Sequence, residues 1–242
     1  MKNQEELVLE VRHLEAGYGR GRKYHQVLYD VDFCLKKGEI LGLVGESGCG
    51  KSTLSKTILG FVPAKKGQVV HYTSRPQMIF QDPFGSLNPG KKVGWILEEP
   101  LRFQKEKLSE GQRRQRVEAM AEKVGLDKKL LGRYPRDLSG GQRQRVSIAI
   151  SLIQGSQLIL ADEPVSALDV TIQRQIMELM LGLQEEMNLS YLFISHDLDV
   201  IYQMCDRVMV MEKGRIVESG PVEQIYREPE HPYTRVLLEA SL

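Results

Sequence analysis

The residues Ile40, Leu41, Gly42, Leu43 and Val44 run directly into Gly45-Glu46-Ser47-Gly48-Cys49-Gly50-Lys51-Ser52-Thr53, and a helix-favouring segment follows. This strand, loop and helix constrain the fold more than any other stretch, because Gly-x4-Gly-Lys-Ser/Thr in that setting is a phosphate-binding loop. The glycines permit φ > 0 and close approach, so successive backbone N–H groups can point at one anion at the positive end of the next helix. Lys51 adds a mobile cation and Ser52 a hydroxyl suited to Mg²⁺. Gly45, Ser47, Gly48, Cys49, Gly50 and Thr53 complete the cradle.

A second buried strand is expected at Leu158-Ile159-Leu160-Ala161-Asp162, followed by Glu163. Strands of parallel sheets present ligands at their carboxyl ends, which sets Asp162 beside the metal. Continued strand alternation would turn Glu163 to the opposite side, as a general base for an attacking water. Solvated loop carboxylates are the blander reading, but charged pairs seldom close so apolar a run.

Ser139-Gly140-Gly141-Gln142 opens a helical stretch through Val146, Ile148, Ala149, Leu152 and Ile153, with Ser139 as N-cap. A cap alone does not require two glycines; a phosphate approaching the helix amides would. The near-copy Leu108-Ser109-Glu110-Gly111-Gln112-Arg113 replaces the first glycine with a carboxylate that would repel phosphate. Residues 109–124 therefore read as an ordinary surface helix, with Val117, Met120, Ala121 and Val124 as its apolar stripe.

The chain has 242 residues, 41% of them hydrophobic, enough for a full core in one large or two small domains. A formal charge of +1 leaves no global basic footprint and disfavours nucleic acid as the main ligand. No apolar run long enough to span a bilayer and no signal pattern are evident, so a cytosolic location is expected. The three cysteines, Cys34, Cys49 and Cys205, lack metal-ligand spacing and suit reduced thiols. Cys49 lies inside the loop, where alkylation would block nucleotide.

Residues 7–14 and 27–35 read as an antiparallel pair of strands, with Tyr18 between them. Strand and helix then alternate at 40–44 with 51–60, 158–162 with 171–187, and 191–195 with 198–204. This predicts an α/β fold: a P-loop parallel-sheet core, an N-terminal antiparallel β region, and an inserted helical subdomain. The core covers about 1–82 and 155–242, the subdomain about 83–154, within one domain of residues 1–242. Val208 to Met211 and Arg215 to Glu218 read as a closing hairpin across Lys213-Gly214. Trp95, Phe84, Leu87, Ile96 and Leu101 read mainly as subdomain core, with a minority lining a partner groove.

With these segments in this order, the chain resembles the ATP-binding subunit of an ABC transporter over nearly its whole length. The resemblance implies ATP and Mg²⁺ as cofactors. It implies roles for Gln81 in Phe80-Gln81-Asp82-Pro83 as a lever between Mg²⁺, water and the membrane partner, and for Asp169 in Ser166-Ala167-Leu168-Asp169 at a subunit interface. His196 in Ile194-Ser195-His196-Asp197 would contact the γ-phosphate, and Tyr18 in Ala16-Gly17-Tyr18-Gly19 would stack on adenine. ATP would bind Lys51, Ser52 and the loop amides of one subunit while Ser139 and Gly141 of another close over it.

A narrower resemblance, to the oligopeptide, dipeptide and nickel importer branch, rests on three segments. They are Phe80-Gln81-Asp82-Pro83-Phe84-Gly85-Ser86-Leu87-Asn88-Pro89, His231-Pro232-Tyr233-Thr234 and the run from Ala161 to Val170. The branch implies a second ATPase subunit, paralogue or self, two membrane permeases, an extracytoplasmic solute-binding protein, and a peripheral place on the cytoplasmic face of the membrane. A short segment between Gly67 and Gln81, few residues after Thr234, and Ile150 in place of the usual arginine depart from it. These departures keep a nickel or metallophore solute beside a peptide. The alternatives are an ABC ATPase accessory to a soluble complex such as carbon–phosphorus lyase, which shares the His-Pro-Tyr-Thr ending, and a DNA-repair or translation ATPase. The latter class usually carries two cassettes or a coiled-coil insertion, which this chain lacks.

Overall fold

The computed structural model describes residues 7–73, 76–104 and 107–240, apart from the side chains of residues 22, 83 and 84. Phe84, expected near a partner groove, therefore has its side chain outside the described residues. The chain runs through β1 (Leu7–Tyr18), β2 (His25–Lys36), β3 (Ile40–Val44), α1 (Lys51–Ile58), β4 (Ala64–His71) and β5 (Gln77–Ile79). Four helices follow: α2 (Pro83–Ser86), α3 (Val93–Arg102), α4 (Glu110–Lys123) and α5 (Gly140–Leu152). The remainder is β6 (Leu158–Asp162), α6 (Val170–Met187), β7 (Ser190–Ile194), α7 (Leu198–Met204), β8 (Arg207–Glu212), β9 (Arg215–Pro221), α8 (Val222–Arg227) and α9 (Pro232–Glu239).

Two sheets form, one in the order β2-β1-β4 and one in the order β5-β6-β7-β3-β8-β9. The first is antiparallel. In the second, β5 to β8 are parallel neighbours and β9 closes the edge antiparallel to β8.

The larger sheet separates two apolar cores, and its strands feed both because successive side chains point to opposite faces. Ile40, Val44, Ile159, Ala161, Tyr191, Phe193, Val208 and Val210 enter the core shared with α3 to α8. Leu41, Leu43, Leu158, Leu160, Leu192, Ile194, Met209 and Met211 enter the one shared with α1 and the antiparallel sheet. Burial on both faces explains why β3, β6 and β7 read as unbroken apolar runs. Each fully buried leucine or isoleucine there contributes roughly 1.5–3 kcal/mol.

Helices occupy the stretch from α2 to α5, where helical structure is expected, and Arg207–Glu212 and Arg215–Pro221 form the expected hairpin. Leu87, Ile96 and Leu101 are buried core. Trp95 is only partly buried and lies 4.6 Å and 5.8 Å from the Lys91 and Arg102 cations, an arrangement that its π-face favours.

Two strands escaped the sequence reading. Most of β4 is exposed and carries Gly67 at φ +75, where an added Cβ would stand 2.2 Å from His13 O. There β1 and β4 shift register, so the strand lacks the alternation that betrays a half-buried one. The other, β5, is three residues long. Positive φ at His13 and Asp30, with register shifts between β1 and β2, likewise obscured how far those strands extend.

Candidate functional site

Sheet register assembles the site. Ile194 pairs with Leu43 on one side and Asp162 on the other, so the carboxyl ends of β3, β6 and β7 lie in one row, where α/β sheets bind ligands. A cleft of about 610 Å³ opens there. Ser47, Gly48, Gly50, Lys51, Ser52 and Thr53 line it, with Gln81 beyond β5, Asp162 and Glu163 at the end of β6, His196 beyond β7, and Val27 from β2.

The loop between β3 and α1 has the backbone that a phosphate cradle needs. Gly45, Gly48 and Gly50 take φ of +149°, +81° and +119°, and a Cβ on Gly45 would lie 2.2 Å from Met211 O. Gly50 caps α1 without any side-chain hydrogen bond, so no cap oxygen competes for the first-turn amides. Outside the loop, Cys49 O accepts from Gly214 N at 2.8 Å, and the Tyr233 hydroxyl accepts from Glu46 N at 3.0 Å. The Lys51 ammonium is folded onto the loop, donating to Gly45 O at 2.6 Å and Glu46 O at 3.0 Å.

Cys49 behaves differently from its sequence reading as an alkylation target. It is 8% exposed, and burial pushes its thiol pKa up against the opposing pull of Lys51. A buried, protonated thiol is a poor nucleophile.

The two carboxylates also depart from simple alternation. Glu163 takes φ +47 and donates its N–H to Ile194 O at 2.9 Å. It thus turns into the same cleft as Asp162 instead of to the other side of the strand. A non-glycine residue in the left-handed region stores strain, which gathers at functional positions. The Glu163 carboxylate accepts from Gln81 Nε2 at 3.0 Å and lies 3.0 Å from His196 Nδ1. Asp162 has a raised pKa, first through burial and then through the adjacent Glu163 charge, while Lys51, Lys56 and a hydrogen bond from Ser52 oppose the rise.

Ser52 and Asp162 fit a magnesium ion by donor chemistry, since a hydroxyl and a carboxylate are hard oxygen ligands. Burial beside a second carboxylate is the setting in which a cation relieves most repulsion. Gln81, also expected near the metal, lines the same cleft as Ser52 and Asp162 and donates to Glu163.

Tyr18, Ser139, Gly140, Gly141, Gln142 and Asp169 do not line the cleft. The Tyr18 hydroxyl lies 3.3 Å from Thr53 Oγ1, so the ring stands beside the loop helix. Asp169 caps α6 through Ile172 N at 3.0 Å. Ser139 and Gln142 form a reciprocal capping box, and so do Ser109 and Gln112 in the near-copy, which makes the cap itself uninformative about ligands. The glycines differ more. A Cβ on Gly141 would stand 2.6 Å from Ile172 Cγ2, whereas one on Gly140 would make only a 3.4 Å contact with Leu168. Packing against α6 therefore accounts for Gly141 and leaves Gly140 without that requirement.

A second cleft of about 530 Å³ shares Ser52, Gln81 and Asp162 with the first and is lined by Phe61, Met78 and Phe80. Trp95, Leu87, Ile96 and Leu101 do not line it. Local sequence gave no sign of Val27 or Tyr233 at the loop: one is a strand valine, the other lies 187 residues from its partner. Among the described residues no helix is long and apolar enough to cross a membrane.

The ABC transporter family profile matches residues 28–166. The dipeptide transport ATP-binding protein DppF of Haemophilus influenzae is 46% identical over 231 residues, covering 89% of this chain and 70% of its own. The oligopeptide transport ATP-binding protein OppF of Bacillus subtilis is 44% identical over 251 residues, covering 97% and 82%. Among solved structures, cbiO1 of Clostridium perfringens, part of the ABC transporter complex cbiONQ, superposes with a TM-score of 0.82 at 26% identity over 92% of both chains. A dimeric ATP-binding cassette in a post-hydrolysis state with ADP and Pi superposes with a TM-score of 0.77 at 27% identity, covering 88% of this chain and 98% of that one.

Proposed function

This chain belongs to the ABC transporter family, and from that premise we propose that it is the ATP-hydrolysing subunit of an importer in the peptide branch. The observation that carries the reading is the joining of Glu163 to Gln81 and His196 at the mouth of the cleft that Lys51 and Ser52 also line. The names of the 44–46% identical relatives support dipeptide or oligopeptide transport over service to a soluble enzyme complex. Nickel import belongs to a sibling branch and has no separate support.

In this reading ATP lies with its phosphates over the loop amides, Lys51 leaves Gly45 O and Glu46 O for the phosphate oxygens, and Tyr18 stacks on adenine. Ser52 and Asp162 hold Mg²⁺, which when bound neutralises phosphate charge. Glu163 orients the attacking water and accepts its proton, with Gln81 and His196 fixing the carboxylate. Phosphoryl transfer depends mainly on such positioning and charge stabilisation. Ser139, Gly140, Gly141, Gln142 and Asp169 act on the nucleotide of a second ATPase subunit, copy or paralogue, which accords with their absence from the lining of this chain's own cleft. Residues of about 83–154 serve as a helical subdomain on a core of about 1–82 and 155–242. The second cleft, which sets Phe61, Met78 and Phe80 beside the shared Gln81, suits a segment of one of two permeases and holds the subunit to the cytoplasmic face of the membrane. An extracytoplasmic binding protein delivers the solute.

The test is capture of Glu163→Gln with ATP from native membranes, followed by mass spectrometry. Two permeases and an ATPase are the expected companions; a soluble enzyme complex without membrane proteins would overturn transport.

A further inference from the structure

We propose that Tyr233 is a positioning residue for ATP, clamping the phosphate loop from outside through its hydroxyl. The peptide unit joining Gly45 to Glu46 is gripped at both ends. Its carbonyl, Gly45 O, accepts from Lys51 Nζ at 2.6 Å, and its N–H, on Glu46, donates to the Tyr233 hydroxyl at 3.0 Å. The inner grip is lost when Lys51 turns to a phosphate. The outer one remains, so Tyr233 holds this peptide in orientation while the nucleotide is bound.

The clamp is itself anchored. Tyr233 is in the first turn of α9, where its N–H donates to the capping His231 Nδ1 at 3.2 Å. The Glu218 carboxylate on β9 accepts from Glu230 N at 2.8 Å and His231 N at 3.1 Å, and the Tyr233 ring packs against the larger core. The turn between β8 and β9 also supplies Gly214 N to Cys49 O at 2.8 Å. One hairpin therefore braces the loop at two points, directly at Cys49 and through α9 at Glu46. Preorganised amides bind an anion without first having to be ordered, and a freed peptide can rotate its N–H and C=O.

The proposal rests on the reading of this loop as the phosphate site, and the experiment separates the two. Full-length wild type, Tyr233→Phe, Val236→Ala and Lys51→Ala are compared for binding of methylanthraniloyl-ATP with Mg²⁺. Tyr233→Phe removes one oxygen and keeps the ring. The expected result is about three- to tenfold weaker binding, the value of one hydrogen bond, with Val236→Ala, on the exposed face of α9, unchanged. In the assembled transporter KM for ATP rises by a similar factor while kcat at saturation holds, a split that general loss of folding would not give. The Glu46 amide is expected to be protected from hydrogen exchange in the wild-type chain, and that protection is expected to fall in Tyr233→Phe. Unchanged affinity in Tyr233→Phe, or a Glu46 amide exchanging as freely as in a peptide, overturns the clamp. If Lys51→Ala also binds normally, the phosphate-site reading fails as well.

Discussion

Glu163 and His196 meet side chain to side chain, Oε1 to Nδ1 at 3.0 Å, although they follow different strands. Glu163 also accepts from Gln81, so two side chains converge on one carboxylate. Replacing it by the isosteric amide keeps the shape and removes the proton acceptor. Glu163→Gln is expected to lower ATP turnover by about 10²–10⁴-fold, the usual share of general-base catalysis, with ATP affinity retained and a closed dimer accumulating. Phosphate release and size-exclusion chromatography with ATP check this; rapid hydrolysis would remove Glu163 from the role.

Asp162 carries a pKa raised by burial and by Glu163. A carboxyl whose folded pKa exceeds its unfolded value favours folding below the unfolded pKa and loses that contribution as pH rises through the folded one. Ionised Asp162 therefore opposes folding at neutral pH when no nucleotide is bound. Asp162→Asn is expected to raise Tm by about 2–4 °C at pH 8, with the gain shrinking as the pH falls toward the raised pKa, while Mg²⁺-dependent turnover is lost. Thermal melts across pH test the sign, and a gain that grows on acidification contradicts the account.

Gly141 and Gly140 separate packing from ligand approach. A Cβ at Gly141 would meet Ile172 Cγ2 at 2.6 Å, but one at Gly140 would meet Leu168 at an ordinary 3.4 Å. Gly141→Ala should cost about 1–3 kcal/mol by overpacking. Gly140→Ala should leave stability within about 0.5 kcal/mol, in the manner of surface substitutions, and still reduce turnover of the ATPase dimer. Denaturant titration beside an ATPase assay distinguishes them; equal destabilisation by both would make the glycines a packing device alone.

Ser109 and Ser139 cap their helices in the same way, accepting from Gln112 N and Gln142 N at 3.3 Å each. Alanine at either position should cost about 1 kcal/mol. Only Ser139→Ala should also impair turnover, since Glu110 denies the first helix a phosphate. Matched losses of stability with unmatched activities are the expected outcome, and equal activities would leave Ser139 a cap only.

The sequence was most legible where one physical demand dominated. Ile40–Val44, Leu158–Asp162 and Ser190–Ile194 are buried on both faces, so their apolar runs announce parallel strands, and loop glycines with φ > 0 announce the cradle. What stayed hidden depended on distant partners. Ala64–His71 is a strand because β1 offers an edge, and its exposed face carries no period. Glu163 faces the cleft because φ +47 turns the chain where alternation predicts the reverse. Gly141 answers to Ile172 on another helix, a demand invisible from a capping pattern that Ser109 shares.

Ile194 pairs with both Leu43 and Asp162, which makes β7 a common ruler for the loop on one side and the carboxylates on the other. A slip of one residue along β7 would displace His196 by about 3.3 Å relative to Glu163. It would also send Leu192 and Ile194 toward the core now filled by Tyr191 and Phe193. Misaligned chains are thus rejected for their packing before their chemistry is ever tried, so quality control of the active centre is vested in the hydrophobic interior.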